Sequence, residues 1–437
     1  MRSRSLGQLM GKEWRELLAS RAFWLLLLMI GPLVGHAFIT AIGLYGEMSG
    51  ANGGPAALPQ GLTPLDGILV PTFGVYDLAA TLLLPFVAIR LISAEKETGG
   101  LKLLLQLPQT LGTKVMMKGL VFLAGWLIAW IPGLLAVALW KLYGGHLSHT
   151  ETLNLFGGHL LRAGVSSGVA VAAAAVLESA ASAAIVTLGF TVGTWALDFV
   201  AAGRGGWLQQ LANYTPTAAL RFFEQGLLRL STVIAMIVIT VTGFATAAIW
   251  LNTGRALRIR VFASLLVLAI AAVVIAVAGQ TRASWDLSEN RRNSFAPVDE
   301  ARLKLIHQPL RITVFLSAED PRLNDFEQNI LRKLRRTLPH LQVDYAAESR
   351  SGLFESNEDH YGEIWYELGG QKAMDRSTIE EIVLEQIYNL ANLDPPSRDD
   401  QAEYSGYPLA TRPRGAAWLF YAVWPLGVVV NWWFVRR

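Results

Sequence analysis

The chain has 437 residues, of which 52% are hydrophobic and 16% are charged, and its formal net charge is +3. Soluble globular proteins carry about 25% charged residues, so this composition points away from an ordinary soluble protein. The sequence contains no cysteine, which excludes disulfides, thiolate catalysis and cysteine-ligated zinc or iron–sulfur centres. Charged residues are scarce from 22 to 279 and frequent from 281 to 412, which predicts a membrane-embedded part followed by a water-exposed part.

Residues 1–21 precede the first apolar run. Leu9, Trp14, Leu17 and Leu18 have helical spacing, while the charged residues fall on other faces. This pattern predicts an amphipathic lead-in helix in the membrane interface; the alternative is a polar lead-in with a chance apolar stripe. The apolar run from residue 22 is too long for a cleaved signal peptide and predicts a retained anchor.

The hydrophobic runs predict a polytopic α-helical membrane protein with about eight transmembrane helices. About 20 apolar residues cross the hydrocarbon core of a bilayer. Six windows satisfy this length: 22–45, 75–93, 119–142, 232–251, 261–279 and 415–434. The stretch 163–202, rich in Ala, Gly and Ser, has room for two closely packed spans with a turn near residues 178–182; the alternative is one long helix.

The distribution of Lys and Arg predicts the orientation of these spans. Segments 1–21, 95–118, 253–260 and 436–437 contain five, four, three and two basic residues. Because cytoplasmic loops are enriched in Lys and Arg, both termini are expected in the cytoplasm. The membrane itself is expected to be a bacterial inner membrane. Residues 281–413 are then extracytoplasmic, and only the loop 203–230, with three basic residues, departs from the rule.

The segment after the second span reads AEKETGGLKLLLQLPQTLGTKVMMKG. It has an acidic cluster, a Gly-Gly break, a short Leu-rich helix and a proline before a Lys-Gly pair. This order resembles the signature of ABC-2 type transporter permeases, and the resemblance covers residues 1–255. The matching residues are Glu95, Glu97, Gly99, Leu103, Leu104, Pro108, Lys118 and Gly119, whereas Gly100 stands where the family often has Thr.

The resemblance implies a six-span permease domain over residues 22–255, with a coupling segment over residues 95–114. Such a permease pairs with a second copy or a sister permease and docks on a cytoplasmic ATP-binding subunit. ATP and Mg²⁺ belong to that subunit, since this sequence has no G-x-x-x-x-G-K-[ST] motif and no catalytic or cofactor site is expected in this chain. The residues implied in coupling are Glu95, Glu97, Gly99, Leu103, Leu104 and Pro108.

Residues 281–413, between a seventh span at 256–280 and an eighth at 414–437, predict an inserted extracytoplasmic α/β domain. Alternating apolar residues predict strands at 310–316, 341–345 and 363–368, the last ending in a turn at Gly369 and Gly370. Helices are predicted at 325–338 and 379–393. The first strand, helix and second strand predict a right-handed crossover between parallel strands.

The start of this region reads SWDLSENRRNS. It resembles the opening of the soluble domain in gliding-motility-type ABC auxiliary proteins, over residues 261–437. The resemblance implies that permease and auxiliary parts are fused in one chain. An envelope partner of this domain belongs to the second functional hypothesis given below. The matching residues are Trp285, Asp286, Leu287, Ser288, Arg292 and Ser294.

Ionisable residues inside spans are functional candidates by default. Arg90 and Glu178 are expected near the cytoplasmic ends of their spans, and Asp77 and Asp198 near the outer ends. Asp198, in the small-residue hairpin, is the preferred candidate for a pathway residue. The histidines lack the spacing of a metal site, so no metal is expected. The chain is expected to contact membrane lipid and not nucleic acid.

Three functional hypotheses follow. The first is an exporter permease that couples ATP hydrolysis by a partner subunit to the export or extraction of a lipid-like substrate. The second is a mechanotransmission complex, in which ATP hydrolysis moves the outer domain against an envelope partner and nothing crosses the membrane. The third is a membrane scaffold whose partner has no ATPase activity.

Overall fold

The computed structural model describes residues 2–49, 63–100, 106, 109–201, 212, 214–317, 320–346, 360–396 and 406–436. Within these residues, eight helices are long and apolar enough to cross a membrane. The prediction of a polytopic α-helical membrane protein is therefore confirmed.

The membrane-spanning helices are α2 to α6, α8, α9 and α13. Their bounds are Arg21–Met48 (α2), Leu65–Thr98 (α3), Leu111–Leu142 (α4), His149–Val176 (α5), Ala180–Ala201 (α6), Leu230–Trp250 (α8), Leu257–Gly279 (α9) and Ala416–Arg436 (α13). The shorter helices are Arg2–Ala19 (α1), Pro216–Glu224 (α7), Pro297–Leu303 (α10), 321–337 (α11) and Glu380–Leu390 (α12).

The small-residue stretch forms two helices, as the two-span alternative predicts. Helix α5 ends at Val176 and α6 begins at Ala180, so the turn lies where the sequence places it. The start of α5 was predicted wrongly, since the helix begins at His149 rather than at residue 163. Glu151, Asn154, His159 and Arg162 lower the hydropathy of this first half, yet all four are buried in the bundle. The second span likewise begins ten residues earlier than predicted, at Leu65.

Helices α5 and α8 pack with their backbones in contact. A Cβ atom on Gly243 of α8 would lie 2.3 Å from the carbonyl oxygen of Gly168 on α5, so neither position has room for a side chain. Small residues permit this approach, which is how helices associate in a bilayer, where burial of apolar surface supplies little driving force between them.

Helix α1 packs on the start of α4 at one end of the bundle, which we call the α1 end. Leu9, Glu13 and Leu17 follow one another at four-residue spacing and are buried. A buried stripe of this kind agrees with the predicted amphipathic helix, except that a glutamate lies at its centre.

A four-stranded sheet lies at the opposite end of the bundle, which we call the sheet end. The strands are Leu310–Val314 (β3), Leu341–Tyr345 (β4), Ile364–Leu368 (β5) and Gln371–Asp375 (β6). Their order is β4-β3-β5-β6; β3 and β4 are parallel, and the other pairs are antiparallel. The three predicted strands and the parallel pair are confirmed, whereas β6 was missed because QKAMD has no apolar alternation.

Helices α11 and α12 pack with the sheet in a hydrophobic core separate from that of the bundle. Ile312, Tyr366, Leu334 and Ile387 are all fully buried there. We call the described residues from Ser284 to Leu390, which contain the sheet and helices α10 to α12, the sheet unit. Helix α11 supplies the crossover between the parallel strands β3 and β4, as the sequence predicts.

A short ribbon and several polar contacts join the sheet unit to the bundle. Strand Leu227–Arg229 (β1), between α7 and α8, pairs antiparallel with Ser284–Asp286 (β2), which follows α9. Arg292 donates to both carboxylate oxygens of Asp66 at 2.5 Å, near the start of α3. The motif that begins at Trp285 therefore lies at the junction between the two parts.

We predict that Gly243→Val destabilises the bundle, because the added side chain forces α5 and α8 apart. Overpacking of a tight contact costs about 1–3 kcal/mol. The apparent unfolding temperature in detergent measures the effect. Gly189→Val on α6 is the matched control, since no atom lies within 4 Å of the Cβ position there. An unchanged unfolding temperature for Gly243→Val would contradict the backbone contact.

Candidate functional site

Five charged side chains from three separate helices meet at the α1 end. Lys12 of α1 donates to Glu95 of α3 at 2.5 Å. Lys118 of α4 contacts Glu13 of α1 at 2.7 Å and Glu95 at 2.9 Å. Glu16 completes the group through Lys12, at 3.0 Å. We call these five residues the ion cluster.

The centre of the ion cluster is shielded from solvent. The side chains of Glu13, Lys118 and Glu95 are 0%, 2% and 6% exposed. A buried charge is tolerated only when it is paired, and removal of one partner from a buried pair costs about 3–5 kcal/mol. The positions of α1, α3 and α4 are therefore fixed relative to one another by electrostatics as well as by packing.

The charges within the ion cluster leave one carboxylate in excess. Three carboxylates face two ammonium groups, and burial raises the pKa of Glu13. For Lys12, burial lowers the pKa, but hydrogen bonding to Glu95 and the charge of Glu13 outweigh burial and raise it overall. Lys12 therefore stays charged at neutral pH, which keeps the bond to Glu95.

The three carboxylates of the ion cluster are near enough to one another to share a metal ion. Oxygens of Glu13, Glu16 and Glu95 lie within 4.8 Å of one another. The ammonium groups of Lys12 and Lys118 are bonded to the same carboxylates and supply the positive charge that a cation would bring. We therefore interpret the group as an ion-pair network.

The predicted coupling segment, 95–114, lies between two residues of the ion cluster. Glu95 is its first residue, and Lys118 lies one helical turn after its last residue. Glu95 lies near the end of α3, which Gly99 terminates with a φ of +72°, a conformation that suits glycine. Helix α4 begins after Thr110, whose side chain accepts a hydrogen bond from the Thr113 amide, and Lys118 lies two turns later. Both ends of the segment therefore connect to α1.

The remaining coupling candidates are placed as follows. Glu97 is exposed and is not part of the ion cluster. Leu103, Leu104 and Pro108 lie outside the described residues. Sequence reasoning missed Glu13, although a glutamate at the centre of an apolar helical stripe is a signal that could have identified it.

Lys96 ties the same end of α3 to α5. Its ammonium group donates to the carbonyl oxygens of Ala174, Ala175 and Leu177 at 2.6, 2.8 and 2.9 Å. These are carbonyls of the last turn of α5, where a cation also interacts favourably with the helix dipole. The end of α3 therefore contacts α1, α4 and α5 through charged groups.

The intramembrane candidate Asp77 has a buried arginine as its partner. Arg162 of α5 is fully buried and donates to Asp77 at 2.8 Å, and also to Ser166 and Thr81 at 2.9 Å each. Sequence reasoning missed Arg162, because the predicted span began at residue 163. Arg162 lies three residues after His159 and four residues before Ser166, a spacing that places the three polar side chains on one helix face. This pattern could have identified Arg162.

The other three intramembrane candidates differ in their surroundings. Asp198 is paired with an arginine, and Arg90 and Glu178 are exposed. Arg221 of α7 contacts the carboxylate of Asp198, which is buried. Glu178 lies in the turn between α5 and α6 at the α1 end, and Arg90 lies on an exposed face of α3. The four intramembrane candidates therefore do not form one site.

His159 is a further polar residue of the bundle interior. It is buried beside Phe73, with ring centroids 5.9 Å apart, and neither ring nitrogen has a hydrogen-bond partner among the described residues. A buried polar group without a partner is costly, which makes His159 a candidate for a functional role inside the bundle.

No protein-family model matches the sequence, and neither a curated protein nor a solved structure matches it. The functional interpretation therefore depends on the residues and geometry of this chain.

We predict a pH-dependent stability contribution from Glu224, at the end of α7. Burial and the charge of Asp77 raise the pKa of Glu224 from 4.5 to about 7. Between these values the folded protein holds a proton that the unfolded chain has lost, so stability falls as pH rises through this window. The slope is at most about 1.4 kcal/mol per pH unit.

The test compares unfolding temperatures of wild type, Glu224→Gln and the control Glu385→Gln between pH 4.5 and 7.5. Glu385 is an exposed glutamate on α12. Wild type and the control should lose stability relative to Glu224→Gln as pH rises. Parallel pH profiles for all three proteins would contradict the raised pKa of Glu224.

Proposed function

We propose that this chain is the permease subunit of an ABC-type exporter. A separate cytoplasmic subunit hydrolyses ATP, and this chain couples that hydrolysis to the export or extraction of a lipid-like substrate. The observation that supports the proposal best is the ion cluster, which attaches both ends of the segment 95–114 to α1. The resemblance of that segment to ABC-2 type permeases supplies the identity of the partner.

The ion cluster gives the segment 95–114 a mechanical role in this proposal. A subunit that pushes on the segment displaces the end of α3 and the start of α4 together, because Glu95 and Lys118 share a contact at 2.9 Å. Helix α1 moves with them through Glu13, and α5 follows through its bonds to Lys96. One movement on the cytoplasmic side therefore reaches four helices.

The orientation is part of the proposal. The α1 end, with the basic segments 1–21 and 95–118, is cytoplasmic, and the sheet unit is an inserted α/β domain on the outer side of a bacterial inner membrane. A second copy or a sister permease completes the complex. Asp77 and Asp198, each paired with an arginine, lie on the side from which a substrate leaves.

Mechanotransmission is the second candidate, and the junction of the sheet unit with the bundle favours it. The β1–β2 ribbon joins the segment before α8 to the segment after α9. Arg292 connects the sheet unit to Asp66 on α3, the helix that carries Glu95 at its other end. A displacement of α3 is thereby passed directly to the sheet unit, which could act on an envelope partner.

We predict that an affinity-tagged chain, purified from its own host, brings down a protein with a Walker A motif and ATPase activity. Leu103→Asp with Leu104→Asp should abolish this association, because the charges would disrupt the apolar docking helix that the sequence predicts there. Lys141→Gln, an exposed residue of α4, is the control and should leave it intact. Purification without any ATP-binding protein would refute both candidate functions and leave a scaffold role.

The two candidate functions are separated by a release assay, and a cross-link at the junction tests whether release requires movement of the sheet unit. Because the chain has no cysteine, Asp66→Cys with Arg292→Cys forms a unique pair. In the exporter, ATP-dependent release of lipid-like material from proteoliposomes requires only the bundle and continues when the pair is oxidised. Absence of such release from the reduced protein, with ATPase turnover intact, would favour mechanotransmission instead.

A further inference from the structure

A hollow of about 470 Å³ lies at the sheet end, where α9 leaves the bundle and the sheet unit begins. Arg282, Arg291 and Lys304 line it and are exposed. None of these three side chains has an ion-pair or hydrogen-bond partner among the residues that the structure describes. The hollow therefore presents three cations whose charge is not neutralised by neighbouring side chains.

The two acidic residues of the hollow are already engaged. Asp286 accepts hydrogen bonds from the amide of Ser288 at 3.1 Å, the amide of Asn293 at 3.0 Å and the hydroxyl of Ser294 at 2.5 Å. Glu300 is paired with Arg336, which also lines the hollow. The net charge of the lining is therefore positive, and its potential favours an anion.

The backbone holds Arg291 in a conformation that non-glycine residues seldom adopt. Its φ is +50°, in the left-handed region. The turn is closed by hydrogen bonds from the Arg291 amide to Ser288 at 3.2 Å and from the Ser294 amide to the carbonyl of Arg291 at 2.8 Å. Such positions are maintained only when the surroundings determine them, and they are frequent where a ligand is held.

The position of the hollow favours a ligand that comes from the membrane. Helix α9 ends at Gly279, three residues before Arg282. Val273 and Val277 on its last turns are exposed, so lipid chains can lie along the helix directly below the hollow. Trp285 lines the hollow with 51% of its surface exposed, and tryptophan is enriched at the level of lipid headgroups.

We infer that this hollow binds the phosphate headgroup of an anionic phospholipid from the adjoining leaflet. Arg282, Arg291 and Lys304 bind the phosphate, and Trp285 lies against the glycerol region. Basic pockets beside membrane helices recognise anionic headgroups through charge-assisted hydrogen bonds. The inference does not depend on the ABC-exporter proposal, because it requires only that α9 crosses a bilayer.

The experiment measures binding of phosphatidylglycerol to the full-length protein in detergent. Native mass spectrometry counts the bound lipid, and the unfolding temperature reports stabilisation. Phosphatidylcholine and inorganic phosphate, at the same concentration, are the comparison ligands. The test variant is Arg282→Gln with Arg291→Gln and Lys304→Gln. The matched control removes three other basic residues from the same end: Arg302→Gln, Arg412→Gln and Arg414→Gln.

Wild type and the control variant should bind phosphatidylglycerol at least tenfold more tightly than the test variant does. All three proteins should have equal unfolding temperatures in phosphatidylcholine, which shows that the test variant folds. Equal phosphatidylglycerol binding by the test variant, or an equal loss in the control variant, would overturn the assigned site. An equal stabilisation by inorganic phosphate alone would overturn the assignment to a lipid.

Discussion

The arrangement of this protein depends on the cost of burying a charge without a partner. At the α1 end, Glu13, Lys118 and Glu95 are withdrawn from water, and each is tolerated only while the others stay in contact. The three side chains belong to α1, α4 and α3, so the requirement for pairing becomes a requirement on the relative positions of three helices. Glu95 and Lys118, which lie on either side of this segment, therefore cannot move apart without disrupting the contacts among the three helices.

The same constraint recurs through the membrane-spanning part. Arg162 pairs with Asp77 between α5 and α3, and Arg221 pairs with Asp198 between α7 and α6. Arg162 and Asp77 are 85 positions apart in the sequence. One partner of each pair, Arg162 in the first and Asp198 in the second, is buried. Helix α3 forms ion pairs at three points along its length, through Glu95, Asp77 and Asp66. Asp66 is bonded to Arg292 of the sheet unit. This helix therefore connects the α1 end to the sheet end, a geometry suited to the transmission of force.

The sequence predicted what depends on local composition. Hydropathy located the eight spans, and alternation located β3, β4 and β5, because burial acts on each segment separately. The first half of α5 was missed because His159 and Arg162 lower the local hydropathy, while Asp77, the partner of Arg162, lies far away in the sequence. The pairing of Glu13 with Lys118 joins residues 105 positions apart, and no local pattern specifies such a contact. Strand β6 was missed because it is an edge strand with little buried surface.

A double-mutant cycle between Glu13→Gln and Lys118→Met tests the central claim most directly. We expect a coupling energy of about 2–3 kcal/mol in the free energy of unfolding, because the two charges are buried and bonded. The cycle between Glu16→Gln and Lys118→Met is the internal control: Glu16 is exposed and 4.0 Å from the same lysine, so its coupling should stay below about 1 kcal/mol. A coupling between Glu13 and Lys118 no larger than this control would contradict the claim that the ion cluster fixes the three helices.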